Sequence, residues 1–355
     1  MADSKRRKSP KSLSRTGRWM RTVWLALVML GTAVALALAW FIYEGSRPIL
    51  KKEPIELLIP YGTSARGVAA MIRDAGVDIH EGMFLLHARW LGVHKNLKAG
   101  VYVVEPGVTK RQFIDRLAGR DATHSEFRIV EGWTVKQIVD AIAANPDLRF
   151  DLGRATHGAV LAELIGIETS NPEGWIYPDA YFVKKGSSAS ELLKRATRFQ
   201  QRVVAQEWEK RREGLPYRSV AEALVVASIV EKETQYPGDR ERVAAVFANR
   251  IRVGMPLQAD PTVIYGLGDA FKGDITRAHL RKDTPYNTYT RKTLPPTPIS
   301  NPGVRAIRAV MNPADSKALY FVARGDGSSH FSDTLAEHNS AVDRFIRRLA
   351  GAGTK

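Results

Sequence analysis

The stretch Ala221-Glu-Ala-Leu-Val-Val-Ala-Ser-Ile-Val-Glu-Lys-Glu-Thr234 is almost entirely apolar up to the glutamate at position 231. Its spacing predicts a buried helix, one face of which is formed by Leu224, Ala227, Ser228 and Glu231. Burial disfavours the charged form of a carboxyl group, so we expect a raised pKa and a protonated Glu231 near neutral pH. A neutral carboxylic acid is the proton donor that cleavage of a glycosidic bond requires. The alternative is that Glu231 begins an exposed last turn and is simply solvated.

The sequence does not identify a second catalytic carboxyl group to act with Glu231. Glu233 lies two positions later, about 200° around a helix, so it faces away from Glu231 and is assigned to an ion pair or a cap. Asp260 precedes a proline, a pattern typical of a helix N-cap with proline at the first helical position. Classical glycosidases use two carboxylates. The sequence instead favours one glutamic acid that acts first as acid and then as base, with a nucleophile supplied by the substrate.

The N-terminal segment predicts a membrane anchor. Residues 1–21 carry eight basic side chains against one acidic side chain, and Thr22–Tyr43 then runs without a charge. Such a helix is about 33 Å long, enough to cross a hydrocarbon core of about 30 Å. Basic flanks stay cytoplasmic, so we expect residues 1–21 in the cytoplasm and the chain after Tyr43 to be exported. The alternative is a signal peptide cleaved near Ala37-Leu-Ala39, but the apolar run is longer than such peptides usually have.

Charge and composition limit the classes of binding partner and cofactor that the chain can use. The net charge is +16, and for an exported chain an anionic polymer or a membrane surface fits this better than nucleic acid. Cysteine is absent, which excludes disulfides, thiolate catalysis and cysteine-ligated metal. The late histidines form no close ligand pair, and Ser228 with Lys232 is one residue too widely spaced for a Ser-x-x-Lys dyad. No metal or cofactor is therefore expected.

An internal repeat lies between residues 55 and 145. Each of its three segments reads as a strand, a glycine turn, a Ser or Thr that can cap a helix, and apolar residues on one helical face. The turn glycines are Gly62, Gly107 and Gly132. The pattern resembles LysM-type carbohydrate-binding units, and the alternative is a small α+β packing domain without a ligand. No repeat places an acidic residue on an apolar face, so we expect the repeats to assist binding without carrying catalysis.

Together these patterns predict an α+β protein with an N-terminal transmembrane helix, small LysM-like βα repeats and a mixed α+β catalytic domain. A polar helix from about Ala189 to Arg212 is expected to be a solvated spacer or a packing strut, and residues 319–331 to form a β-hairpin. The predicted limits are a basic tail at 1–21, a transmembrane helix at 22–43, a linker at 44–52, repeats at 53–145, a connecting segment at 146–215 and the catalytic domain at 216–350.

The motifs of the C-terminal half occur in the order found in one known family. They are Ser228-Ile-Val-Glu-Lys-Glu-Thr234, Leu257-Gln-Ala-Asp-Pro-Thr-Val-Ile-Tyr-Gly266, Thr284-Pro-Tyr-Asn-Thr-Tyr289, Leu294-Pro-Pro-Thr-Pro-Ile299, Tyr320-Phe-Val-Ala323, His330-Phe331 and His338-Asn339. With the anchor and the repeats, these motifs make the chain resemble the endolytic murein transglycosylase (YceG-like) family. The family's essential glutamate matches Glu231.

The resemblance implies a lyase that cleaves glycan strands of nascent peptidoglycan internally. Glu231 would protonate the oxygen between N-acetylmuramic acid and N-acetylglucosamine and then deprotonate the muramoyl 6-hydroxyl, leaving a 1,6-anhydro end. It also implies a single-pass protein of the inner membrane with a periplasmic catalytic domain, which ends strand elongation and has peptidoglycan synthases as candidate partners. The alternative is a non-catalytic scaffold that holds peptidoglycan. The residues expected to bind the glycan are Gln258, Asp260, Thr262, Tyr265, Tyr286, Asn287, Tyr289 and Asn301.

Overall fold

A computed structural model describes residues 15–49, 53–234 and 236–347. The contacts divide the chain into two compact units, with the division between Ala122 and Thr123. This division falls inside the predicted repeat region, so the third repeat is grouped with the C-terminal unit. The predicted domain limits otherwise stay predictions.

The first unit combines one long apolar helix with a small α+β arrangement. Its elements are α1 (Arg15–Ser46), β1 (Ile55–Ile59), α2 (Ala65–Asp74), α3 (Glu81–Trp90), β2 (Gly100–Val104) and α4 (Lys110–Leu117). Strands β1 and β2 pair antiparallel, with Ile55 opposite Val104. Within α1, Trp19–Ser46 is long and apolar enough to cross a membrane, and it contains the predicted span.

The three predicted strand–turn–helix segments are confirmed as local structure. Their turn glycines have φ values of 81°, 86° and 80°, a region that glycine enters without strain. Each following helix is capped by a hydroxyl that accepts a hydrogen bond from the backbone three residues on, and the capping residues are Ser64, Thr109 and Thr134. This geometry satisfies one otherwise unpaired N–H at each helix start. The likeness to LysM units stays a prediction.

The second unit is mainly helical with three short strand pairs. Its elements are β3 (His124–Arg128), α5 (Val135–Ala143), β4 (Leu148–Arg149), α6 (Gly158–Ile165), β5 (Ala180–Lys184), β6 (Ser187–Ser188), α7 (Ala189–Glu209), α8 (Val220–Glu233), α9 (Arg240–Arg252), α10 (Asp260–Leu267), α11 (Arg277–Arg281), α12 (Val304–Met311), β7 (Tyr320–Ala323), β8 (Ser329–Ser332) and α13 (Leu335–Val342). Strands β3 and β5 pair antiparallel, β4 and β6 parallel. Strands β7 and β8 form the predicted hairpin.

Helix α8 lies at the centre of this unit and determines where the site is. It packs against α7, α9, α10 and α12, and its residues from Ala223 to Glu231 are all buried. This explains why its sequence is apolar all round rather than on one stripe. Helix α7 is not a solvated spacer, because it buries a continuous face that includes Leu193, Phe199 and Gln200. Most of its charged side chains lie outside this face, and the buried Glu207 pairs with Arg308 of α12. Of the two predicted roles, the packing strut is therefore correct.

Candidate active site

Glu231 is buried near the C-terminal end of α8. Its side chain is only 6% exposed, which excludes the alternative of a solvated last turn at this position. The chain becomes accessible again immediately after it, since Lys232 is exposed. Burial raises the pKa of Glu231, as the apolar pattern predicts.

Two donors and one acid set the charge state of this carboxyl group. The Gly303 N–H donates to Oε2 at 2.9 Å, and Nη2 of Arg240 lies 3.4 Å from Oε1. Burial raises the pKa of Glu231, and the negative charge of Glu131 raises it further. The Gly303 hydrogen bond lowers this pKa more than Arg240 does. The net result is a raised pKa, because one normal hydrogen bond and one long ion pair replace the full hydration that a carboxylate has in water. The raised pKa favours the protonated form of Glu231 compared with a carboxyl group in water.

The turn of the third repeat lies directly against Glu231. A Cβ on Gly132 would sit 3.7 Å from Cγ of Glu231 and 3.5 Å from Cδ of Lys232. The Lys232 ammonium donates back to the Gly132 carbonyl at 3.4 Å. A repeat that was expected only to assist binding therefore forms part of the wall around the buried acid.

Glu131 is the second carboxyl group beside Glu231, and sequence reasoning missed it. Its carboxylate contacts Gly303 so closely that a side chain at that position would displace it. It is 34% exposed and pairs with Arg305 at 3.1 Å. Gly303 thus separates two carboxyl groups, donating its N–H to one and lying against the other. Glu131 precedes the turn glycine Gly132 in the sequence. The repeat pattern accounts for the glycine but assigns no role to the glutamate.

The segment from Ile299 to Gly303 is fixed along α8 by Ser228. The Ser228 hydroxyl donates to the Val225 carbonyl at 2.7 Å and accepts from the Ile299 N–H at 3.0 Å. The Ser300 hydroxyl donates to the Ser228 carbonyl at 3.2 Å. Ser228 therefore holds the loop segment that carries the Gly303 N–H to Glu231, and the Ser228 hydroxyl bonds only backbone groups.

Asn301 ties this segment to the turn of the third repeat. Its N–H donates to the Trp133 carbonyl at 2.8 Å, and its own carbonyl accepts from the Gly132 N–H at 2.9 Å. Its side chain accepts from the Ile176 N–H at 3.0 Å and donates to Trp133 and Glu173. Asn301 is fully buried, so these contacts position the wall of the site from inside the protein.

Glu173 is a further buried acid that sequence reasoning did not identify. It accepts from the Val135 N–H at 3.0 Å, from the Asn301 amide at 2.9 Å and from the Tyr265 hydroxyl at 3.2 Å. Burial raises its pKa to about 8, and these hydrogen bonds oppose the shift. Glu173 lies in a segment rich in turn formers and aromatic residues. This composition does not predict that its carboxyl group is buried.

Two predicted site tyrosines join the same network. The rings of Tyr265 and Tyr286 meet edge to face with centroids 4.9 Å apart, and the Tyr286 hydroxyl lies 2.9 Å from that of Thr297. Both rings are half-buried. They present aromatic surface beside the segment that leads to Gly303.

The other predicted residues form a second group around Thr288. Thr262 and Asn287 are buried, with their polar atoms bonded to Thr288 and to the carbonyls of Leu280 and Lys282. Gln258 and Asp260 are exposed. The Asp260 carboxylate accepts from the Tyr289 hydroxyl at 2.6 Å.

The predicted N-cap role of Asp260 is wrong by one position. The cap of α10 is Ala259, with Asp260 as the first helical residue and proline second. The carboxylate therefore bonds Tyr289 rather than the helix N-terminus. Burial, with the charge of Asp260 as the next cause, raises the pKa of Glu233 to about 7. Glu233 is thus coupled to Asp260 and not to Glu231, but it forms no ion pair and caps no helix among the described residues, so the expected ion-pair or capping role is wrong.

A family model, curated proteins and a solved structure that resemble this chain all point to the same family. The YceG-like family model matches residues 57–344. An endolytic murein transglycosylase of Bacillus subtilis is 29% identical over 330 residues, covering 86% of this chain and 90% of that protein. One of Streptococcus pneumoniae is 24% identical, covering 83% of this chain but 59% of its own longer length.

The crystal structure of a putative YceG-like protein from Listeria monocytogenes aligns with a TM-score of 0.50 and 31% identity, over 82% of this chain and 100% of that one. The family match spans both compact units and includes Glu131, Glu173, Glu231 and Gly303. The chain belongs to the YceG-like family.

Proposed function

We propose that this protein is an endolytic lytic transglycosylase that cleaves peptidoglycan glycan strands, with Glu231 as its general acid and base. The observation that carries the proposal is a buried carboxyl group of raised pKa, held by one backbone N–H and open to the surface at the next residue. The names of the relatives support the same activity.

The reaction needs one proton donor and one internal nucleophile. Glu231 protonates the glycosidic oxygen between N-acetylmuramic acid and N-acetylglucosamine, and the C1–O bond breaks. The Glu231 carboxylate then takes the proton of the muramoyl 6-hydroxyl, whose oxygen bonds to C1. The product is a 1,6-anhydro ring, and no water is consumed. Because the nucleophile is tethered to the reacting carbon, proximity replaces the second carboxylate of other glycosidases.

Glu131 supplies a negative charge at the same place. The negative charge of Glu131, which pairs with Arg305, disfavours ionisation of Glu231 and favours its acid form before the reaction. Cleavage of a glycosidic bond builds positive charge on the sugar ring. A carboxylate on the exposed side of Gly303 is suited to stabilise that charge.

The predicted glycan-binding residues divide into two roles. Gln258, Asp260, Tyr265, Tyr286 and Tyr289 are exposed or half-buried, and we assign them to direct contact, with the tyrosine rings against sugar faces. The remaining residues are buried with their polar atoms bonded within the protein, so we assign them to positioning. They are Thr262, Asn287 and Asn301.

We further propose that α1 anchors the protein in the inner membrane, with the rest of the chain in the periplasm. There it would cut nascent strands internally, end their elongation and work beside peptidoglycan synthases. The support for the anchor is a helix of suitable length and hydropathy. The support for its orientation is the basic flank of the sequence.

Digestion of purified glycan strands with mass spectrometry of the products tests the proposal. A lytic transglycosylase gives ends one water lighter than hydrolysed reducing ends, and an endolytic enzyme shortens long strands before small fragments accumulate. Reducing ends would replace the proposed mechanism by hydrolysis. Binding of strands without any product, from the folded wild-type protein, would favour the non-catalytic scaffold.

A further inference from the structure

The end of the anchor helix is fixed to the body of the first unit. The Phe41 ring stacks on His87 of α3 with centroids 3.9 Å apart, and Nε2 of His87 lies 3.1 Å from the Phe41 carbonyl oxygen. Gly45 lies against the same imidazole, leaving no room for a side chain. Glu44 pairs with the buried Lys110 of α4 at 2.8 Å. These contacts pack helices α1, α3 and α4 against one another.

This attachment fixes the depth of α3 relative to a bilayer. Phe41 belongs to the uncharged span and lies two residues before its end at Tyr43. Trp90 meets the Phe41 ring edge to face, with centroids 5.6 Å apart. A residue in contact with the end of a membrane span lies at the level of the interface between headgroups and acyl chains. Trp90 is consequently at that level wherever the span is inserted.

Trp90 belongs to an exposed apolar face of α3. Met83, Leu86 and Trp90 follow one another at i, i+3 and i+7, on one side of the helix. Leu86 is 51% and Trp90 56% exposed. The neighbouring stripe, which includes His87, is covered by α1, so the exposed face continues the surface that the span itself presents. Tryptophan at such a level is the side chain that membrane interfaces favour.

The charges beside this face also fit a bilayer surface. The Arg111 guanidinium lies 5.8 Å from the Trp90 ring centre, and Arg89 is exposed on the same helix. Arg47, one residue beyond α1, is exposed as well. Cations that border an apolar face meet the phosphate groups of lipids when the face is inserted.

We propose that the face formed by Met83, Leu86 and Trp90 is seated in the headgroup–acyl boundary of the bilayer that α1 crosses. The first unit would then lie flat on the membrane surface at a fixed height. This inference rests on the anchor role of α1 and is independent of the catalytic proposal. Lipid is the molecule proposed to cover this face of α3. The alternative is a second copy of the chain, and the test below distinguishes the two.

Single nitroxide labels on the full-length protein in lipid nanodiscs test this inference. The chain has no cysteine, so each substitution gives one labelled position. Leu86→Cys is the test site, Leu30→Cys within α1 the lipid-exposed reference, and Val160→Cys on α6, 57% exposed, the matched aqueous control. Collision with oxygen, which concentrates in lipid, is compared with collision with a water-soluble nickel complex. We expect the oxygen-to-nickel ratio at position 86 to exceed that at 160 several-fold and to approach that at 30.

Three results would overturn the inference. Water-like collision rates at 86 with lipid-like rates at 30 would mean that the face is solvated. Low collision with both reagents, together with spin–spin broadening that disappears on dilution with unlabelled protein, would mean that a second copy covers it. Water-like rates at 30 would remove the anchor on which it depends. Glycan digestion by the same preparations reports the catalytic proposal separately.

Discussion

At the scale of single residues, the proposed activity depends on the proton of Glu231 and on the charges around that side chain. Glu231→Gln preserves the shape of the side chain and suits a buried position, but an amide cannot deliver a proton. We expect glycan cleavage to fall by about 10²–10⁴-fold, as is typical when a general acid–base group is lost. The matched control is Glu233→Gln, two residues further along the same helix and electrostatically coupled to Asp260 rather than to Glu231. Initial rates on purified strands, with circular dichroism to verify folding, measure both, and a larger loss in the control would contradict the assignment.

Glu131→Gln tests the electrostatic role of the second carboxyl group. In the proposed mechanism the acid form of Glu231 starts the reaction, so we expect activity to fall as pH rises through its pKa. Removing the negative charge of Glu131 lowers that pKa, and freeing Arg305 lowers it further. The alkaline limb of the pH–rate profile should therefore move to lower pH.

The control for this shift is Glu163→Gln, an exposed glutamate on α6, which should leave the profile in place. A limb that stays fixed in Glu131→Gln, or moves to higher pH, would mean that Glu131 does not act on the titration of the acid.

At the scale of elements, the site depends on how one loop segment is held between a helix end and a turn. Asn301 bonds both the turn of the third repeat and Glu173, and it lies two residues before the Gly303 N–H that contacts Glu231. Asn301→Ala leaves buried donors and acceptors unpaired. Each such group costs about 1–3 kcal/mol, so we expect a clear loss of stability together with a fall in kcat. Urea unfolding and steady-state kinetics measure the two effects.

This variant also decides between two roles for Asn301. A groove residue that only contacts glycan would raise KM and leave stability unchanged. Asn96→Ala, an exposed position in the first unit, is the control and should stay within about 0.5 kcal/mol of the wild type.

At the scale of the whole molecule, several buried carboxyl groups give stability an unusual pH dependence. Burial raises the pKa of Glu173 to about 8, of Glu233 to about 7 and of Asp179 to about 6, and that of Glu231 is also raised. A group whose pKa is higher in the folded state stabilises fully below its unfolded pKa, and that contribution is lost as pH rises through the folded pKa. The free energy of unfolding should therefore decrease between pH 5 and pH 8.5.

Urea unfolding in detergent micelles at a series of pH values measures this slope. Glu173→Gln removes the group with the highest raised pKa in this set, so its slope should be shallower than that of the wild type. An equal or steeper slope would show that Glu173 is not protonated in the folded protein.

Orientation in the membrane is the second whole-molecule prediction. We predict from the basic flank that residues 1–21 are cytoplasmic, so protease added to spheroplasts should degrade the chain beyond Tyr43. Protection of this part in intact spheroplasts, with digestion only after lysis, would reverse the orientation.

Features that depend on neighbours a few positions away could be predicted from the amino-acid sequence. An uncharged run defined the span, apolar composition defined α8, and a hydroxyl after each turn glycine defined the helix starts at Ser64, Thr109 and Thr134. These follow from hydrogen bonding and hydropathy within one turn or one pair of strands. The identity of Glu231 as a buried acid followed for the same reason.

The groups that surround Glu231 come from distant parts of the chain and could not be predicted from the sequence. Glu231 takes its hydrogen bond from a residue 72 positions away, and Glu131 finds its arginine 174 positions along the chain. The predicted catalytic domain began at residue 216 and so left out the turn at Glu131 and the buried Glu173. Asn301 was read as a groove residue, whereas its amide is enclosed by backbone and carboxyl partners. Charge, burial and pKa at a site depend on distances through space, and periodicity along a chain carries no information about which distant segments meet.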